Sequence, residues 1–576
     1  MLDFVKSKFI LLFLGITLVS YVLTFLVRLI SHKVGFISRP TADRWSQRPV
    51  ALGGGIAIQL SILLGILLIQ EDLLVPVLPA FLAVFILGVV DDIYGVPANA
   101  KLVVQTIAAA WVVNHGLTLP LPSQVASIAF TIIWIVGISN AVNLIDNMDG
   151  LAAGSSLIVC LGFAYLFKNY GLGESYLLLA VCVAGACVGF LIHNFPPAKI
   201  FMGDAGSLPL GFILAVMSTC IRFQRNSVPE FLALVPMILI LVVPLFDTCL
   251  VMVARHNANK PLMSGGKDHT SHRLVAIGLK DKSAVLVLYL MGVIGSLSAS
   301  LIMYSSLGEM VSFSIVALVS LVLLGVFFLE VAVYPPSLFK TKKPGTLPPA
   351  LLYSLEIAVD ICVVSVAWTF AHSIRFFDSG YQTQHMLSVI PTLPLLITIK
   401  LIAFSSFRLY RGLWRTICGS DVYVIFKAVT VGSFFLILAL AFKNHLQSTS
   451  RIVLVLDYCL TFILLLGSRA SFSAFRRWTR KLAKTPSRVA LVGDPGLFEI
   501  VLKALSKETG LELSGVITPT GGMTGPQVLG SIENLEEIIS KQDIDTLIVG
   551  TDKFEEALSR ISLKGVVLRR INMQFT

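Results

Sequence analysis

Charge is what this sequence has least of. Asp, Glu, Lys and Arg make up 13% of 576 residues against 56% hydrophobic ones, and mean hydropathy is +0.86. So little charge excludes a soluble enzyme and predicts an integral membrane protein. The eight cysteines lie scattered through apolar runs without paired spacing, which excludes both a zinc site and a disulfide framework. The first apolar run lacks a small-residue cleavage site, so it reads as a retained helix rather than a signal peptide. No internal repeat of the kind transporters carry is visible.

What is present is a long series of apolar runs. They predict a polytopic α-helical membrane protein with about fifteen spans between residues 9 and 468, among them 206–221 and 231–254 as single spans. Eleven spans fall in residues 1–335 and four in 351–470, separated by a proline- and lysine-rich linker at 336–350. A basic stretch at 471–486 reads as an interfacial segment against anionic membrane lipids. Residues 487–576 change character: apolar runs such as "RVALVG", "ELSGVI", "DTLIVG" and "GVVLRRI" alternate with helical patterns, which predicts a C-terminal cytosolic Rossmann-like α/β domain.

The net charge of +11 concentrates in alternate loops: Lys33, Arg39, Arg44 and Arg48, then Arg255, Lys260, Lys267 and Arg273, then Lys340, Lys342 and Lys343, then Arg408, Arg411 and Arg415. The positive-inside rule makes those loops cytoplasmic, although Arg222 and Arg225 fall on the other side. The excess charge is a topology signal, and no nucleic-acid partner is expected.

Against this background three acidic strings stand out: Asp91-Asp92 in "GVVDDIYG", Asp146 and Asp149 in "NAVNLIDNMDGLAAG", and Asp204 in "FMGDAGS". Carboxylates at the ends of apolar runs are costly unless they meet water, a cation or each other, and the same topology puts all three on the cytoplasmic face. Two adjacent acids at a helix C-terminus oppose the macrodipole, so Asp91 and Asp92 imply a bound positive charge such as Mg²⁺. Asn140, Asn143, Asp146 and Asp149 recur every three residues, a ladder that a regular α-helix would rotate by about 60° per step and that a tightened or unwound helix end would keep aligned. Gly203 and Gly206 frame Asp204 at a helix start, where backbone N–H groups can face an anion. Phe201 is placed to stack on a base, or to act as an interface anchor. His269, His272 and Arg273 in "KDHTSHRL" supply the basic groups that phosphates need.

In this order, "DDIYG", "NAVNLIDNMDGLAAG", "FMGDAGS" and "DHTSHRL" closely resemble the polyprenyl-phosphate N-acetylhexosamine-1-phosphate transferases (WecA/MraY/TagO type) over residues 1–335. The resemblance implies an enzyme that moves sugar 1-phosphate from a UDP-sugar to undecaprenyl phosphate, releasing UMP, with Mg²⁺, or Mn²⁺ in its place, in the bacterial inner membrane. It implies Asp204 as the principal metal ligand and Asp91 and Asp92 ordering metal and lipid phosphate. Asn140, Asn143, Asp146, Asp149, Phe201 and Lys101 are implied on the substrate, with His269, His272 and Arg273 on phosphates or sugar. "RPVALGGG" at 48–55 resembles the glycine motif of members that take UDP-GlcNAc. Ser271 stands where such members usually carry a further histidine.

Residues 350–576 resemble the N-terminal membrane and nucleotide-fold part of polysaccharide-biosynthesis nucleotide-sugar dehydratases, and stop before a dehydratase catalytic domain would begin. The glycine loop "GDPGLF" puts Pro495 and Phe498 where a dinucleotide fingerprint needs glycine, which points to a regulatory, docking or dimerisation module and a homodimer. A transporter with a carboxylate pathway and a non-catalytic scaffold for glycan assembly are the alternatives from other classes.

Overall fold

The computed structural model describes residues 2–331 apart from 39–48, 70–74, 171–172, 224–227, 258–265, 267 and 306. It also describes 349–376, 392–444 apart from 408 and 411–418, and 450–482, and in the C-terminal region chiefly 487–492, 511–518, 528–531, 546–549 and 567–570. Most of the linker, Arg39, Arg44, Arg48, Lys260, Lys267 and the 493–498 glycine loop lie outside the described residues. Two compact units divide between Pro348 and Pro349.

The first unit contains α1 (Leu2–Val34), α2 (Gly54–Leu68), α3 (Leu78–Tyr94), α4 (Ala98–Asn114), α5 (Gln124–Ile145), α6 (Leu151–Tyr170) and α7 (Glu174–Asn194). Then follow α8 (Asp204–Ser218), α9 (Leu234–Ile240), α10 (Val242–Asn257), α11 (Thr270–Ala276), α12 (Asp281–Tyr304) and α13 (Leu307–Glu330). Its described β structure is a two-residue antiparallel pairing of β1 (Ile37–Ser38) with β2 (Val50–Ala51). Among the described residues of the whole chain, eight helices are long and apolar enough to cross a membrane, or nine with one bent pair counted as a span. The chain is a polytopic helical membrane protein.

Helix α8 is the axis of this unit. It is apolar all round, and every residue from Ala205 to Ser218 is buried, as expected of a helix sunk inside a bundle. At 15 residues it is about 22 Å long, so its first residue, Asp204, begins inside the bundle. Glycines let the neighbours approach: a Cβ on Gly88 of α3 would lie 2.4 Å from the Asp204 carbonyl, and one on Gly211 of α8 2.7 Å from the Ser139 Cα. On the outside of the bundle, exposed Leu, Ile, Val and Phe side chains recur along α1 and α12, the composition a lipid-facing surface needs.

The sequence reads 231–254 as one span, but the structure bends it by 82° between the 230–240 and 242–256 segments. Pro244 has no N–H to give, and its ring would clash with the Ile240 carbonyl if the helix ran on.

In the second unit, α14 (Pro349–Arg375), α15 (Leu393–Ser406), α16 (Gly419–Asn444) and α17 (Arg451–Leu482) pack together. The linker is shorter than read, because α14 starts at Pro349, a residue well suited to the first helical turn. Helix α17 is continuous for 32 residues: its apolar part is Arg451–Ser471, and the basic stretch up to 482 continues the same helix beyond it. Among the described residues, two buried ion pairs bind these helices. Lys400 Nζ lies 2.6 Å from Asp457 and 2.7 Å from the Thr461 hydroxyl, and Arg469 lies 2.8 Å from Asp360. Each charge has its partner inside the bundle, which is what makes burial tolerable.

The C-terminal region forms one parallel sheet in the order β5 (Val528–Ser531), β4 (Leu511–Thr518), β3 (Ser487–Val492), β6 (Thr546–Val549), β7 (Val567–Arg570). Ala490, Val492, Ile517 and Leu547 on its strands share a core with Leu535, Ile538 and Ile544. Four strands fall on the apolar runs read from sequence. The fifth, "VLGS", is too short and glycine-broken to stand out.

Candidate active site

Helix α3 ends at Gly95, whose positive φ of 72° turns the chain immediately after the acidic pair. Asp91 Oδ1 accepts the Val96 N–H at 2.6 Å, and its Oδ2 pairs with Lys101 Nζ on α4. The same ammonium reaches Asp204 Oδ2 at 2.8 Å. Asp204 Oδ1 accepts from Asn143 Nδ2 on α5 at 2.9 Å, and that amide also donates to Ser207 at 2.8 Å. Four helices therefore bring Asp91, Lys101, Asn143 and Asp204 to one point at the start of α8.

Asp92 does something different from its neighbour. Its Oδ1 and Oδ2 accept the N–H groups of Asp204 and Ala205 at 2.9 and 3.0 Å. It satisfies amides that a helix start leaves without partners and places a negative charge on the positive end of the dipole. Gly203 precedes them at φ 75°, and a Cβ there would strike the Asp92 carboxylate at 2.5 Å.

The Asn/Asp ladder is split by helix geometry. Asn140 and Asn143 sit in regular helix, and the rotation between them sends Asn140 to Gln105 Oε1 of α4 at 2.8 Å and Asn143 to Asp204 of α8. Tightening comes only at Asp146, where the backbone N–H bonds to Asn143 O, three residues back. Asp146 accepts from the Gly203 backbone, and burial together with the charges of Asp204 and Asp92 pushes its carboxyl up to about 7. Asp149 faces another way, holding the Ala198 N–H at 2.8 Å, and its carboxyl is also raised by burial. Gly150 (φ 78°) then opens α6.

The described part of the glycine motif, 49–55, braces this centre from behind. Phe201 N–H donates to Ala51 O at 2.8 Å, while the N–H groups of Gly54 and Gly55 donate to Phe201 O at 2.9 Å and Met202 O at 2.8 Å. A Cβ on Gly55 would fall 2.1 Å from Gly206 N. Phe201 is half-buried in this strand-like stretch.

The basic motif lies on α11, a short helix tied to the ladder loop by Ser271 Oγ donating to Asn147 Oδ1 at 2.7 Å. His269 Nδ1 lies 2.8 Å from Asp247 Oδ2, and the rings of His269 and His272 meet edge to face, 5.7 Å between centroids. Arg273 is turned inward. Its Nε donates to Asp268 O at 2.8 Å and its Nη1 to the carbonyls of Phe328 and Val331 at 2.5 and 2.9 Å, so here it is a strut between α11 and the end of α13. Asp247, Asn147, Ser207 and Gln105 escaped the sequence reading. Asp247 alone carried a usable signal, an acid inside the apolar run "VVPLFDTCLVMV".

The Glycosyl transferase family 4 model matches residues 74–222. The probable undecaprenyl-phosphate N-acetylglucosaminyl 1-phosphate transferase of Bacillus subtilis (strain 168) is 35% identical over 312 residues, 52% of this chain and 86% of the relative. This chain belongs to glycosyl transferase family 4. Another member, the decaprenyl-phosphate N-acetylglucosaminephosphotransferase of Mycolicibacterium smegmatis (strain ATCC 700084 / mc(2)155), is 32% identical over 332 residues, 50% of this chain and 80% of its own. The phospho-N-acetylmuramoyl-pentapeptide-transferase of Lactobacillus helveticus (strain DPC 4571) is 35% identical over 235 residues, 37% of this chain and 69% of its own. The family match covers α3 to α8, the helices that carry Asp91, Lys101, Asn143, Asp146 and Asp204.

Proposed function

We propose that the chain transfers GlcNAc-1-phosphate from UDP-GlcNAc to undecaprenyl phosphate, giving undecaprenyl-diphospho-GlcNAc and UMP, at the cytoplasmic face of the bacterial inner membrane. This step would initiate a surface polysaccharide. The observation that carries the reading is the junction of Asp91, Lys101, Asn143 and Asp204 at the half-buried start of α8.

The acceptor phosphate is a monoester with a second pKa near 6, so it is mostly dianionic at neutral pH. One of its oxygens attacks the sugar-bearing phosphorus of UDP-GlcNAc, the bond from that phosphorus to the bridging oxygen breaks, and UMP leaves with the bridging oxygen. No base is needed. Asp91, with Val96 and Lys101 on its two oxygens, suits positioning better than proton abstraction.

The donor set fits a divalent cation that prefers oxygen. Lys101 Nζ already places a positive charge between Asp91 and Asp204. Among the described residues no three His, Cys, Asp or Glu side chains form a ready-made cage, and Mg²⁺ is commonly held by one or two carboxylates plus substrate phosphates. Asp204 and Asp91 would hold Mg²⁺, or Mn²⁺ in its place, which when bound neutralises phosphate charge in the transition state. Asp92 acts from behind, by fixing the α8 start. Asn143 and Asp146 would face the nucleotide end, with Phe201 near the base. His269 and His272 would serve the phosphates or the sugar.

Because Asp146 holds its proton up to about pH 7, cation binding at this cluster should release a proton. The sign follows: affinity tightens as pH rises, by up to about tenfold per unit below pH 7, and levels off above it. Mn²⁺ titration calorimetry at pH 6, 7 and 8 checks this, and Asp146→Asn should weaken the dependence, proportionately most between pH 7 and 8, leaving at pH 6 the part due to Asp92, which burial pushes up to about 6.

In the second unit, the strand order 3-2-1-4-5 supports the Rossmann-like reading of residues 487–576. Its role is regulatory, docking or dimerising, and the enzyme is a homodimer. A chain ending at residue 348 keeps every site residue and should retain at least a third of full-length kcat in detergent. Purified full-length protein with Mg²⁺, undecaprenyl phosphate and a panel of UDP-sugars, assayed for lipid-linked product, tests the whole proposal. UDP-GlcNAc should give the highest kcat/KM, and absence of product with every UDP-sugar would refute it.

A further inference from the structure

The buried acid that the site description leaves without a role is Asp247. It lies on α10 directly after the 82° bend, only 3% exposed. Its Oδ1 accepts the Thr270 N–H at 2.6 Å, and its Oδ2 lies 2.8 Å from His269 Nδ1. Among the described residues, the His269 ring meets Asp247 from α10 and His272 from α11, while its chain neighbour Asp268 is held by Arg255 of α10 at 2.9 Å and by Arg273 through its carbonyl. An ionised carboxylate can only accept hydrogen bonds. The hydrogen of this contact therefore sits on Nδ1, which leaves Nε2 as the ring's remaining polar atom.

We propose that Asp247 is a positioning residue of the active site, fixing His269 as the Nδ1–H tautomer and so presenting Nε2 to the phosphates of the two substrates. What the ring acts on rests on the transferase reading above; the tautomer does not. The second oxygen, on Thr270 N–H, keeps the carboxylate from turning away. The arrangement follows the general rule that a histidine's working nitrogen is set by the partner of the other one.

Asp247→Asn separates the two roles. Its amide oxygen can still accept from Thr270, which turns the NH₂ toward His269. An NH₂ can only donate, so the ring must offer Nδ1 as acceptor and carry its hydrogen on Nε2, the wrong tautomer. In the full-length chain labelled with ¹³C,¹⁵N-histidine, the spectrum holds nine histidines, and the signal missing from His269→Gln identifies His269. At alkaline pH the wild type should show protonated Nδ1 and Asp247→Asn protonated Nε2. With transfer measured, Asp247→Asn should lower kcat by about a hundredfold or more with KM changed less than threefold, and Asp247→Glu should restore most of it. In the His269→Gln background, Asp247→Asn should cost less than about threefold more, because both act through one ring.

An Nε2–H tautomer in the wild type, an unchanged tautomer in Asp247→Asn, or losses that multiply in the double variant would each overturn the proposal. If Asp247→Asn does not fold, the wild-type tautomer alone decides. A wild type that makes no lipid-linked sugar would fail the transferase reading, while the tautomer would still be read.

Discussion

Asp204→Asn should lower turnover by roughly three orders of magnitude and leave the fold intact. The substitution keeps size and shape, so Asn143 can still donate to the side-chain oxygen as it does at 2.9 Å in the native chain. The NH₂ then faces Lys101 Nζ, which sits 2.8 Å from Oδ2, and a charge pair becomes a clash between donors. The site loses the one carboxylate that Asp92, Asn143 and Lys101 all combine to orient. Losing a single oriented electrostatic group of this kind costs about 10²–10³ in kcat, and a metal ligand belongs at the upper end. Steady-state assays across a Mg²⁺ series check it, with thermal unfolding as the control. A variant within tenfold of wild type at low Mg²⁺ would remove Asp204 from the centre of the mechanism.

Gly55→Ala should be nearly as damaging, although Gly55 carries no chemistry. Its Cβ would sit 2.1 Å from Gly206 N and 2.3 Å from Gly206 Cα, and backbone cannot swing aside as a flexible side chain does. Helices α2 and α8 must separate, and α8 is the helix that begins with Asp204. Overpacking costs about 1–3 kcal/mol of stability, and a shift of about 1 Å in a catalytic group costs about a hundredfold in rate. The expected outcome is a folded protein with a Tm lowered by a few degrees and kcat reduced at least a hundredfold. Wild-type activity would show that the glycine motif is a specificity mark and not a brace.

The sequence made the acidic centre legible because the rule it breaks is so strict. Carboxylates are rare enough in apolar runs that Asp91, Asp92, Asp146, Asp149 and Asp204 announce themselves. Their division of labour was not legible, since it depends on which atoms meet. Asp91 and Asp92 are neighbours in sequence, yet on a helix they are turned about 100° apart, so one meets Lys101 and the other caps α8. The ladder misled for the same reason: spacing by three holds a line only where the helix tightens, and that is Asp146 alone. Arg273 looked like a phosphate binder from its charge and its place in the "DHTSHRL" motif, neither of which shows where the side chain turns. Its inward turn toward the Phe328 and Val331 carbonyls is set by α13, more than fifty residues away. The break at Leu241 was foreshadowed by Pro244, whose effect a hydropathy window averages out.

One measurement tests the central claim most directly: which nucleotide is released when full-length protein turns over UDP-GlcNAc with undecaprenyl phosphate and Mg²⁺. Attack on the sugar-bearing phosphorus at the Asp91–Lys101–Asp204 centre predicts UMP in one-to-one ratio with undecaprenyl-diphospho-GlcNAc, with both formed about a thousandfold more slowly by Asp204→Asn. Release of UDP instead, with a monophosphate-linked sugar, would mean attack at the sugar carbon and would contradict the account.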